Sequence, residues 1–88
     1  MKLIYCPKCQ DVVRLQDVQR KCQCGLSWGR YTDELNAVYG GLAVPLGFDN
    51  HDFLLALDDQ PVNDWHGGAK FDAFVIPEKC KTFKREGD

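Results

Sequence analysis

Four of the five cysteines in this 88-residue chain fall in two close pairs, Cys6-Pro7-Lys8-Cys9 and Cys22-Gln23-Cys24-Gly25. Thiolates bind borderline-soft metal ions, and Zn²⁺ takes four of them in a tetrahedron at about 2.3 Å. Two turns, each bringing a cysteine pair to one point, supply that shell. Pro7 pre-sets the backbone inside the first turn. Gly25 lets the chain leave the second with positive φ. Cys6, Cys9, Cys22 and Cys24 are therefore the expected ligands of one structural Zn²⁺. Four protein ligands close the shell, whereas a catalytic zinc keeps a position open. A redox role for Cys6-x-x-Cys9 needs a βαβ setting that this region lacks. Cys80 is read as a buried thiol rather than a ligand, although the short Cys22-x-Cys24 pair makes it the alternative fourth donor.

Two further clusters carry chemistry of a different kind. Asp49-x-His51-Asp52 and Asp64-x-His66 pair imidazole with carboxylate, as a hydrolytic metal site or proton shuttle does. Asp49, Asn50 and Asp64 are also ordinary turn and cap residues, and that reading is preferred. No catalytic residue is assigned, and a small metal-dependent hydrolase is a remote alternative. Arg14, Arg20, Lys21 and Arg30, with Trp28 nearby, have the types that grip single-stranded nucleic acid by phosphate contact and stacking.

Charge is divided unevenly. Residues 1–32 hold six basic residues against two acids, and residues 33–88 hold five against eleven. A tetrathiolate zinc removes two units from the basic surplus. The acidic remainder repels phosphate, so any nucleic-acid binding is expected to be weak, and the favoured partner is another protein, a basic one being suited to the acidic part. The opening residues are too short an apolar run for a signal peptide, and no stretch is long enough to span a membrane. Thiols that hold metal suit a reducing compartment, so the expected location is cytoplasmic.

The elements that must position these groups are short. Lys2 to Tyr5 and Val12 to Leu15 read as strands on either side of the first cysteine turn. Asp17 to Lys21 reads as a polar turn. Leu26 to Thr32 alternates as a third strand, with Leu26, Trp28 and Arg30 on one face. Asp33 to Gly41 is a junction that Gly40-Gly41 ends. Pro45 marks Leu42 to Val44 as an edge strand or one that ends early. Asn50 caps a helix over His51 to Leu57. Phe71 to Ile76, apolar on nearly both faces, reads as a strand interior to a sheet. Cys80 to Lys84 adds a short edge strand. Val44, Phe48, Phe53, Leu54, Leu57, Phe71, Phe74, Val75 and Ile76 are the candidate core of the second part. The expected fold is α+β and β-dominated: a ribbon over 1–32 packed on a small α+β unit over 33–88, as one cooperative domain.

Three short strands carrying two cysteine turns resemble the zinc-ribbon family over the first third of the chain. Family ribbons usually carry Cys-x-x-Cys-Gly at the second turn, and Cys22-x-Cys24-Gly25 is one residue shorter. The whole chain is also similar to small zinc-ribbon proteins of bacteria and their phages that have no assigned role. The resemblance implies structural zinc and a rigid platform for protein contacts, such as a phage-type or bacterial regulator or inhibitor, acting in the host cytoplasm if phage-encoded. It also implies, as the alternative, a nucleic-acid-binding ribbon.

Overall fold

The computed structural model describes residues 1–64 and 67–86. Strand β1 (Lys2–Tyr5) buries Leu3 and Ile4, and the first cysteine turn reverses the chain into β2 (Val12–Arg14), with Ile4 opposite Val13. A second hairpin repeats this plan with β3 (Arg20–Lys21), the second cysteine turn and β4 (Ser27–Tyr31). Then come β5 (Ala37–Gly41), β6 (Val44–Phe48), helix α1 (Asn50–Asp58), β7 (Ala73–Val75) and β8 (Phe83–Arg85). The fold is β-dominated with one short helix, as expected.

The strands form two four-stranded sheets, in the orders β2-β1-β6-β7 and β3-β4-β5-β8. The three strands anticipated in the first third are thus divided between two sheets. In each sheet an early strand pairs with a later one: β1 with β6, and β4 with β5. Both sheets therefore run across residue 32. The β5–β8 pairing is parallel and sets Ala37 beside Phe83.

One apolar core lies between the sheets. Ile4, Val13 and Leu15 from the first meet Ala37, Tyr39 and Phe83 from the second, with Cys6, Cys22 and Ala43 completing the cluster. The Tyr39 and Phe83 rings pack edge to face, 5.3 Å between centroids. Leu15 presses on β4 at Gly29, where a Cβ would stand 3.0 Å from its side chain.

Residues 33–41 are not a mere junction, because β5 runs through the interior of its sheet. The glycines that looked like a stop serve packing. The Trp28 indole lies on Gly40 and Gly41, and a Cβ on Gly40 would fall 2.6 Å from the ring. The polar turn at 17–21 contains β3.

Pro45 stands inside β6, between β1 and β7, rather than on an edge. It is tolerated because it faces Ile4 on one side, and on the other its carbonyl accepts the Ile76 N–H at 2.9 Å at the end of the ladder. Only one rung there goes without a donor.

The run Phe71 to Ile76 is the largest correction. Only Ala73–Val75 forms a strand, it lies at a sheet edge, and Phe74 and Val75 are 48% and 71% exposed. A continuous apolar run does not by itself distinguish a buried strand from an apolar surface.

The second part likewise has no core of its own. Helix α1 buries none of its residues, and Leu54, Leu55 and Leu57 are exposed. The Phe48, Phe53 and Phe71 rings, 4.8 to 5.5 Å apart, hold it to the sheet. Its N-cap is Asp49 rather than Asn50, and the Asp49 carboxylate accepts the Asp52 N–H at 3.0 Å.

Candidate metal centre

Each cysteine pair sits in the bend of a hairpin, so strand pairing fixes both turns. In the first, the Cys6 N–H donates to the Asp11 carbonyl and the Gln10 N–H donates to the Cys6 carbonyl. Gln10 takes φ 64° to close that turn, a left-handed conformation that costs an L-residue about 1 kcal/mol. In the second, the Cys22 N–H donates to the Ser27 carbonyl and the Gly25 N–H to the Cys22 carbonyl, with Gly25 at φ 80°. Asp11 ties the turns together, since its carboxylate accepts the Gln23 N–H at 2.9 Å.

The result is one cluster: the Sγ atoms of Cys6, Cys9, Cys22 and Cys24 all lie within 4.8 Å of one another. A tetrahedral ion with 2.3 Å sulfur bonds separates its sulfurs by about 3.8 Å. Cys24 Sγ stands 3.7 Å from Cys6 Sγ and 3.5 Å from Cys22 Sγ. The donor set and its spacing fit one metal ion. Cys6 and Cys22 are buried in the core, Cys9 is half-buried and Cys24 is exposed, so the site spans core and surface.

The surroundings favour thiolate at the buried end. The buried Ser27 hydroxyl makes no regular hydrogen bond. The Ser27 side chain is nonetheless the largest influence holding Cys6 down to about 6, followed by the Cys9 N–H. At Cys22, burial opposes ionisation, but hydrogen bonds led by the Ser27 N–H, 3.3 Å from the sulfur, outweigh it and lower the thiol. At Cys24 the Leu26 N–H favours the anion, yet burial and the three neighbouring sulfurs push the thiol up to about 12. Without a cation, four thiolates in so small a volume repel each other; a divalent ion removes that cost and displaces the protons. Asp11 and Ser27 are the supporting residues that the sequence reading missed. Nothing in their types marks them, because their roles come from hairpin register.

The other candidates do not join this site. Cys80 lies outside the cluster, packed against the core with its sulfur 3.6 Å from Thr82 Oγ1. Asp49 is engaged as the helix cap, and the Asp52 carboxylate accepts the Asp72 N–H. His51 is exposed on α1. Asp64 is exposed as well, and His66, like Trp65, lies outside the described residues. Among the described residues the cysteines form the one group of metal-ligating side chains. Of the basic residues, Arg14 is on β2 in the first sheet, and its carbonyl accepts Arg20 Nη1. Lys21 stands opposite Trp28 across β3–β4, and Arg30 pairs with Glu86 at 3.4 Å.

Cys80→Ser is expected to keep a full complement of metal, whereas Cys24→Ser loses it, as elemental analysis of the purified variants will show. The reverse order would place Cys80 in the coordination shell. No family model matches the chain, and neither does any curated protein or solved structure, so its likeness to zinc ribbons stands on the cysteine cluster alone.

Proposed function

We propose that the chain is a zinc-stapled module that binds another protein and has no catalytic activity of its own. Zinc is the ion best suited to four thiolates in a tetrahedron, and a shell so filled leaves no position for substrate. The observation that carries the binding role is α1, which buries no residue and leaves Leu54, Leu55 and Leu57 exposed. A groove of about 800 Å³ runs beside it, lined by Phe53, Leu57, Pro61, Val62 and Phe71 among others. Contiguous apolar surface of this kind marks interaction sites. Asp64 lines the groove, and Asp52, Asp58 and Asp59 lie on and just after the helix, so the segment carries negative charge. A partner presenting apolar side chains beside Lys or Arg satisfies both features. No helix among the described residues is long and apolar enough to cross a membrane.

The experiment is capture on the immobilised zinc-loaded protein, with a Leu54→Asp/Leu57→Asp variant alongside. The bound partner is identified, purified and titrated by calorimetry. At least tenfold weaker binding to the variant supports the reading, since two apolar contacts at about 1.5 kcal/mol or more each are lost. Equal binding by both proteins refutes it.

One observation favours nucleic acid as a second reading. Strand register places Lys21, Trp28, Arg30, Val38 and Lys84 on one face of the second sheet, away from the core. Trp28 lies flat there on the glycines, as a stacking platform does. Glu86 neutralises Arg30, however, and the chain carries a net charge of −2. Binding of single-stranded oligonucleotides is therefore expected to be weak and to fall steeply with salt. Quenching of tryptophan fluorescence at two ionic strengths measures it. An affinity near 10⁻⁸ M at physiological salt, the range of dedicated binders, would overturn the protein-binding assignment.

A further inference from the structure

Four strands lie at sheet edges, and three of them carry cations. β2 has Arg14, β3 is Arg20-Lys21, and β8 has Lys84 and Arg85. Charged side chains on an edge, lysine above all, discourage pairing with another strand. β7 is Ala73-Phe74-Val75 and has no charge at all. All three of its residues are exposed. We propose that β7 is a pairing edge, and that its partner is β7 of a second copy of this chain, joined antiparallel about a two-fold axis at Phe74.

The hydrogen-bond register makes this edge self-complementary. On the β6 side, the Asp72 carbonyl accepts the Asp49 N–H and the Ile76 N–H donates to the Pro45 carbonyl. Gly47 stands opposite Phe74 between these two bonds. Backbone groups in an antiparallel ladder alternate in direction, so Phe74 bonds toward β6 while Ala73 and Val75 present N–H and C=O to the free side. No other described strand lies beside them. In a two-fold pairing centred on Phe74, Ala73 of each copy exchanges both bonds with Val75 of the other. The two Phe74 side chains then meet in the closer, non-hydrogen-bonded pair. Continued past the strand ends, the same register sets Lys70 of one copy opposite Glu78 of the other, a complementary pair of flanking charges. The four-stranded sheet becomes continuous across the two copies. This is a closed, isologous arrangement, which is the commonest in oligomers. A different protein's strand has no such match built into this sequence.

So short an edge buries little, below about 1,200 Å², and the dimer is of the weak, concentration-dependent class. The site is separate from the α1 surface and does not rest on its having a partner.

The test is sedimentation velocity on the zinc-loaded chain over about a hundredfold range of concentration, with amide hydrogen exchange on the same samples. A shift from monomer to dimer is expected, with protection of the Ala73 and Val75 amides rising as dimer forms. Val75→Pro removes a donor that β6 does not use and should keep the protein monomeric. Lys70→Glu and Glu78→Lys should each weaken the dimer, and the double exchange should restore it. A wild-type protein that stays monomeric throughout overturns the proposal. So does a dimer in which the Ala73 and Val75 amides remain unprotected. Should Val75→Pro fail to fold, the exchange data and the charge swap decide.

Discussion

Removal of the metal is expected to unfold both sheets together, not the cysteine turns alone. Cys6 and Cys22 belong to the same buried cluster as Ile4, Tyr39 and Phe83. β1 pairs directly with β6, and β4 with β5, so the hairpins that carry the turns also form half of each sheet. A structural zinc site contributes about 10–16 kcal/mol at neutral pH, while a domain of this size holds a net stability of only about 5–15 kcal/mol. Losing the first term exceeds the second. Hydrogen exchange on the chelated protein tests this at the amides of Tyr39 and Leu46, which lie in interior strands far in sequence from any cysteine. Both should lose protection along with Leu3. Cys6→Ser should behave as the chelated wild type does. Retained protection at Leu46 in metal-free protein would show that the later strands hold a fold of their own.

The second large effect is expected at Phe83, a position that no sequence pattern marks. Its side chain is fully buried, and it seals the core against Tyr39. Phe83→Ala should cost about 3–5 kcal/mol, because it removes a large apolar group and leaves a cavity that a tight sandwich fills poorly. In urea titrations of the zinc-loaded protein, that loss moves the midpoint far down or abolishes the transition. Val75→Ala at low concentration should change stability by no more than about 0.5 kcal/mol, as exposed positions do. The candidate core drawn from the sequence gives the opposite ranking. A midpoint for Phe83→Ala within error of the wild type would show that β8 does not close the core.

What the sequence made legible was local. The cysteine pairs announced a metal site because ligand chemistry restricts residue type and spacing at once. β2 and β4 flank those turns and alternate as half-buried strands do, while β1 is a short run leading into the first turn with the neighbours Leu3 and Ile4 both buried. The helix was legible from its cap, displaced by one residue to Asp49. What escaped was set by contacts distant in sequence. Gly40-Gly41 reads as a terminator, and only the Trp28 indole lying on it reveals its packing role. Pro45 looked like an edge marker because its missing donor falls at a ladder end that only the β6–β7 register reveals. Phe71 to Ile76 reads as buried because its composition is apolar, whereas Tyr39 and Phe83 fill the core. At the metal site, the ligands were legible from type and spacing, whereas Asp11 and Ser27 act through hairpin register.

The parallel pairing of β5 with β8 has a consequence for the order in which the molecule can be made. On the ribosome the four clustered cysteines emerge before β5, and both hairpins consist of near neighbours that pair quickly. The nascent chain can therefore capture its ion early. Its interior cannot be sealed until Phe83 appears, after every other strand. In that interval Tyr39 faces an open slot, and the apolar edge of β5 has no neighbour. The growing chain thus passes through a metal-loaded, unlidded state with an adhesive strand edge, the kind of species that chaperones attend. Chains stalled before residue 83 should retain the ion and nevertheless precipitate.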